Sequence, residues 1–196
     1  MTKVQICNLA LAKIGAQAVV AVDENSVNAE YLRTHYDSVL AELLRAAPWS
    51  FAISRVVTAK LEAPAFGWAN RFQLPIDCIQ VLEVNGIDPE QYPNAPFAVE
   101  GGAILTNEED CKLRYVKLET DPNAYPSDFV EAFATLLAAR VTVGINANWQ
   151  LAASLEARCL GPGGLLPKAS RQNGNESMGH RNNRLLESDL IRARYQ

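Results

Sequence analysis

The chain has 196 residues, 48% of them hydrophobic and 20% charged, with a formal net charge of -4. That length and apolar content can bury one sizeable core and a smaller second lobe, so no disulfide framework or structural metal is needed to hold the fold. The acidic balance argues against a protein that wraps nucleic acid in lysine and arginine, because such binding is driven by counterion release at cationic contacts.

The opening segment, residues 2–14, carries Val4, Cys7, Leu11 and Ile14 at helical spacing. Thr2 and Gln5 are placed for a capping box and Gly15 for a C-terminal stop. A second amphipathic helix is predicted over 26–47, with Ala29, Leu32, Tyr36, Val39, Leu40 and Leu43 on one face and Glu30, Arg33, Asp37 and Glu42 off it. Pro48 ends it. From Trp49 to about Leu118 the hydrophobic period becomes alternating, in the short runs FAISRVVTAKL, RFQLP, CIQVLEVNG, FAVEG, AILT and CKLRYVKL. Asn85-Gly86, Gly101-Gly102 and several prolines supply turn chemistry, which predicts a small antiparallel sheet. Pro126 and Ser127 open a third helix over 127–145, with a stripe of Val130, Phe133, Leu137 and Val141 and with Asp128 and Glu131 near its positive end. A fourth, over 148–160, uses Leu151, Leu155 and Cys159.

The predicted fold class is therefore α+β: a four-helix bundle from residues 1–48 and 126–160, with a small antiparallel β-sheet domain inserted at 49–125. After Leu160 the composition turns rich in Gly, Pro, Asn and Ser, which predicts an extended or flexible C-terminal arm over 161–196. It ends in RLLESDLIRARYQ, where Leu185, Leu186, Leu190 and Ile191 stand beside Arg184, Arg192 and Arg194, followed by Tyr195. A flexible tether with an apolar, arginine-flanked end suits a docking peptide. The alternative is a terminal helix folded back on its own core.

The residues that could carry chemistry do not assemble into a reactive pattern. Cys7, Cys78, Cys111 and Cys159 stand singly, with no CxxC pair and no clustering near the histidines, His35 and His180. With no basic-then-apolar leader at the start of the chain, all four are expected to be reduced thiols. Apolar stretches are interrupted by charge well short of the roughly 20 residues that span a bilayer. His35 falls inside a predicted helix and His180 in the arm, poor positions for a hydrolytic triad. Glu108, Glu109 and Asp110 form an acidic turn without the spacing of a calcium loop. Gly161-Pro162-Gly163-Gly164 lacks the following Lys-Ser or Lys-Thr of a phosphate loop and reads as a hinge. Trp49, Phe51, Trp68, Phe72 and Trp149 have little basic interleaving and read as core anchors and interface residues. The expectation is a protein with no enzymatic activity, no cofactor and no metal.

Four segments in order resemble the tail tubular protein A family, the head-to-tail adaptors or gatekeepers of short-tailed bacteriophages. They are ICNLALAKIGAQ (6–17), AEYLRTHYDSVLAELLRAAPWSFA (29–52), RFQLPIDCIQVLEVNG (71–86) and YPSDFVEAFATLLAAR (125–140). Pro48-Trp49-Ser50-Phe51-Ala52 followed by Leu74-Pro75-x-Asp77-Cys78 is the most specific part, and the likeness covers roughly residues 2–160. The resemblance implies a virion structural protein, present in the host cytoplasm during assembly. It implies a homo-oligomeric, usually dodecameric ring joining the portal protein to the tail nozzle, with genomic DNA passing the lumen without tight binding. On this reading Arg184, Leu185, Leu186, Leu190, Ile191, Arg192, Arg194 and Tyr195 are the candidate portal-binding residues. The sequence leaves open a small cytosolic oligomeric binding or regulatory protein, or an enzyme whose site forms only on folding.

Overall fold

The computed structural model describes residues 1–90, 92 and 94–176. The protein is α+β, with α1 (Lys3–Lys13), α2 (Val27–Ala46), β1 (Ile53–Val57), β2 (Lys60–Leu61), β3 (Asn70–Gln73), β4 (Cys78–Val84), β5 (Phe97–Glu100), β6 (Ala103–Thr106), β7 (Lys112–Lys117), α3 (Ser127–Asn146) and α4 (Trp149–Leu160). Residues 165–176 are also helical. The chain divides into a helical unit, Met1–Leu43 with the chain from Asp121 onward, and a β unit, Leu44–Thr120. Among the described residues no helix is long and apolar enough to cross a membrane.

In the helical unit, local sequence fixes the helix ends. The Thr2 hydroxyl accepts from the Gln5 N–H at 3.2 Å while the Gln5 side chain accepts from the Thr2 N–H at 2.8 Å, a complete capping box. Gly15, with φ +67°, closes α1: the Ala16 N–H reaches the Leu11 carbonyl and the Gly15 N–H that of Ala12, the double bond of a Schellman turn. The Ser26 hydroxyl caps α2 by accepting from the Ala29 N–H. α3 is the hub. Its Phe129, Phe133, Leu136 and Val141 are fully buried together with Ala132, Ala134 and Ala138, so no face is left to solvent over its middle turns.

Three helices pack on α3, as a tilted ring contact, ion pairs and a close approach show. The Tyr36 ring of α2 meets Phe133 at 4.8 Å between centroids, and Tyr125 and Phe129 extend the aromatic cluster. Arg140 reaches Glu42 of α2 at 3.1 Å and Glu156 of α4 at 2.9 Å, and Lys13 of α1 pairs with Glu131 at 2.6 Å. Gly144 lies so close to Tyr31 of α2 that a Cβ there would overlap the tyrosine ring. The Cys159 thiol donates to the Ala132 carbonyl at 3.4 Å, holding α4 against the hub.

The helical unit corrects two expectations. The helices do not form the expected four-helix bundle: an α3 buried all round makes a centre with neighbours rather than one stripe in a ring of four. The segment from 165 to 176 is helical where the composition predicts an extended arm. Ala169 and Asn173, one turn apart, form a small buried face, and Leu165 and Leu166 in its first turn are half-buried, too short an apolar run to signal a helix in the sequence.

The β unit contains two antiparallel sheets, β1-β7-β4 and β2-β3-β6-β5, where the sequence predicts one. The chain changes sheets within two residues: the Thr58 N–H still bonds the Cys111 carbonyl beside β7, whereas the Ala59 carbonyl accepts from Gln73 in β3. The sheets share a core of Phe72, Val84, Ile104, Cys111, Leu113 and Tyr115, flanked by Leu74, Cys78, Val81 and Phe97. Two tight turns set the register. Gly101 and Gly102, with φ +55° and +73°, join β5 to β6, and Asn85 and Gly86, at +52° and +83°, close the Val84–Ile87 bridge. Positive φ at both central positions gives the twist that matches the flanking strands.

Candidate functional site

The residues with reactive side chains are dispersed and quiet. Burial pushes the thiols of Cys7, Cys78 and Cys159 up to about 11 and raises that of Cys111, so each is protonated at neutral pH and a poor nucleophile. His35 is half-buried on α2 and its ring makes no hydrogen bond among the described residues. Glu109 bonds Lys60 at 3.0 Å, the Glu108 carbonyl accepts from Asn70 and the Asp110 carbonyl from Asn85, so the acidic turn ties the strand ends together. No group of three His, Cys, Asp or Glu side chains that could hold a metal ion occurs among the described residues.

The glycine-dense segment links α4 to the helix at 165–176. The Gly161 N–H bonds the Ala157 carbonyl at 2.8 Å, the Gly164 N–H bonds the Gly161 carbonyl at 2.8 Å, and Gly163 has φ +72°. A Cβ at Gly164 would press on the carbonyls of Arg158, Cys159 and Gly161, so the turn demands glycine for close approach. The aromatic set divides: Trp49 and Phe72 are buried, Phe51 and Trp68 half-buried, and Trp149 is exposed at the start of α4. Phe66, which sequence reasoning missed, stands 88% exposed in the loop between β2 and β3, where Gly67 at φ +88° turns the chain.

The β unit carries the most distinctive polar surface. One face of the β1-β7-β4 sheet is an open groove of about 370 Å³ lined by Arg55, Val57, Glu83, Gly86, Lys112 and Arg114. Register places Arg55 opposite Arg114, Glu83 on the far side of Arg114, and Val57 opposite Lys112. Arg114 pairs with Glu83, and its Nε is buried with no hydrogen-bond partner. Arg55 and Lys112 are exposed, and neither side chain makes a hydrogen bond or ion pair among the described residues. Sequence reasoning missed this group. The alternation in ISRVV and KLRYVK would have placed Arg55 with Val57 and Lys112 with Arg114 on one face each, but not across from one another.

The candidate portal-binding residues Arg184, Leu185, Leu186, Leu190, Ile191, Arg192, Arg194 and Tyr195 lie outside the described residues, as does His180. No protein-family model matches the sequence, and no curated protein matches it.

Proposed function

We propose that this protein is a virion structural subunit, a head-to-tail adaptor of the short-tailed bacteriophage type, which joins a portal protein to the tail nozzle. The observation that carries the reading is the order of the resembling segments along the chain. ICNLALAKIGAQ covers α1 from Ile6 and its Schellman turn, the second segment covers α2 from Ala29 and the turn after it, the third covers β3 from Arg71 and all of β4, and the fourth leads into α3. A helical unit built from two distant stretches with a β unit between them supports the same reading.

In this role subunits associate side by side into a ring, dodecameric by the resemblance, through whose lumen the genome leaves the capsid. An acidic chain suits such a lumen because cationic walls would hold phosphates and slow passage. The terminal segment from Arg184 to Tyr195 would supply the portal contact, its leucines and Ile191 giving apolar area and its arginines pairing with acids.

Light scattering after size exclusion, with and without portal rings, tests the proposal. The adaptor is expected to run as a monomer or weak associate alone and to assemble on the portal. Deleting residues 181–196 is expected to leave the body folded and to weaken portal attachment sharply. A small oligomer of fixed size that ignores portal rings would favour the binding or regulatory reading instead.

A further inference from the structure

The groove on the β1-β7-β4 sheet has a free main-chain edge beside it. Because the Thr58 N–H bonds Cys111, that pair belongs to the hydrogen-bonded set of the β1–β7 ladder, and alternation assigns Val56 and Ser54 to the same set. Ile53, Arg55 and Val57 therefore turn their N–H and C=O groups outward, and no described strand pairs with that side of β1. Arg55 and Arg114 form a non-hydrogen-bonded pair, the kind whose side chains approach most closely, and like charges so placed repel. Glu83 answers only Arg114. Among the described residues nothing compensates Arg55 and Lys112, on a chain of net charge -4, and Val57 is exposed at 68% on the same edge.

We propose that this groove docks an extended, acidic segment of a partner polypeptide, which adds to the edge of β1 as a further strand. Its carboxylates stand on alternate residues and so share the groove face, where they neutralise Arg55 and Lys112 while their aliphatic stems lie over Val57. The edge selects polypeptide over nucleic acid: the outward carbonyls of Ile53, Arg55 and Val57 need N–H donors at strand spacing, which a phosphate backbone lacks. Two uncompensated cations are also few for binding driven by counterion release. The inference uses only the geometry of the β unit and stands whether or not the protein is an adaptor.

The test is fluorescence anisotropy of the full chain with four probes. These are a capped peptide alternating glutamate and valine, the same peptide with lysine for glutamate, the glutamate peptide with its alternate backbone amides methylated, and oligothymidylate. The glutamate peptide is expected to bind saturably, and the other three at least about tenfold more weakly, since charge pairing and edge bonding are both required. Arg55→Glu and the double variant Arg55→Ala, Lys112→Ala are each expected to lower peptide affinity about tenfold or more with an unchanged melting temperature. Val57→Pro, which removes an outward N–H that β7 does not use, should weaken binding while leaving the sheet folded. Absence of saturable binding, equal binding of the lysine or methylated peptide, preference for oligothymidylate, or unchanged affinity in both charge variants would overturn the proposal.

Discussion

The helical and β units bury apolar surface by different means. In the helical unit one element does most of the work: α3 is covered on all sides, and a change at Phe133 is felt by Tyr36 of α2 and by Tyr125 and Phe129. In the β unit a cluster of Phe72, Val84, Ile104, Cys111, Leu113 and Tyr115 is shared by two sheets, Trp49, Ala52 and Val116 are buried besides, and the turns at Asn85-Gly86 and Gly101-Gly102 do much of the positioning. That unit also leaves Val57, Phe66 and Ile76 and the cations of one sheet face to solvent. A centre-and-neighbours helical core can lose little of its interior without losing the arrangement. A β unit fixed by its turns can leave an edge strand such as β1 and a loop side chain such as Phe66 open to contacts with other molecules.

The sharpest way to break this contrast is a charge in the helical hub. Phe133→Asp is expected to cost about 4 kcal/mol or more, because it buries an ionisable group with no partner among aromatic rings. Circular dichroism should show lost helix, and nuclear magnetic resonance should show whether the β-unit signals persist. A wild-type melting temperature would mean α3 is not the centre described. In the β unit, Ile104→Ala removes a fully buried side chain from the shared layer and is expected to cost about 2–4 kcal/mol by chemical denaturation. Gly144→Ala is expected to cost about 1–2 kcal/mol, the overlap with the Tyr31 ring outweighing the better helix propensity of alanine. Adding Tyr31→Ala should return most of that loss. If it does not, the close approach of α2 and α3 is not what the glycine serves.

The two units also differ in how far the sequence revealed them. Helix ends were legible because they depend on neighbours: Thr2, Gln5 and Gly15 announce α1, and all three act as their types suggest. The hub was not. Val130, Phe133, Leu137 and Val141 read as one stripe, and only packing shows that Ala132, Ala134 and Ala138 between them are buried as well, since alanine occurs on either kind of face. In the β unit the hairpin turns were legible from Asn-Gly and Gly-Gly, yet the exchange of partners at Thr58 and Ala59 was not, because nothing local tells a strand which neighbour it will have. The groove was hidden for the same reason. Arg55 and Arg114 are distant in sequence and meet only through register. The helix at 165–176 was concealed by Pro167, Gly174 and its polar neighbours, which mimic a linker.

The smallest effect expected separates the units by the source of their carboxylate stabilisation. In the helical unit Glu24 sits below the usual carboxylate range because the Ser26 hydroxyl and then the N–H groups of Val20 and Ala21 bond it. In the β unit Glu109 is lowered chiefly by its hydrogen bond and charge pairing with Lys60. For both, the folded value lies below the unfolded one, so any contribution to stability is present above the unfolded carboxylate pKa and is lost as pH falls through the folded value. Neutral donors and a cation respond differently to salt, however. At about 1 M salt the screening length falls to about 3 Å, which weakens the attraction of an exposed ammonium but leaves short bonds to a hydroxyl and two amides nearly intact. Carboxyl titration by nuclear magnetic resonance is therefore expected to show Glu109 moving up toward its ordinary value in salt while Glu24 stays low. Ser26→Ala should raise Glu24 alone and Lys60→Ala Glu109 alone. If both carboxyls moved together with salt, Glu24 would be held by a charge and the Ser26 cap would not be its main support.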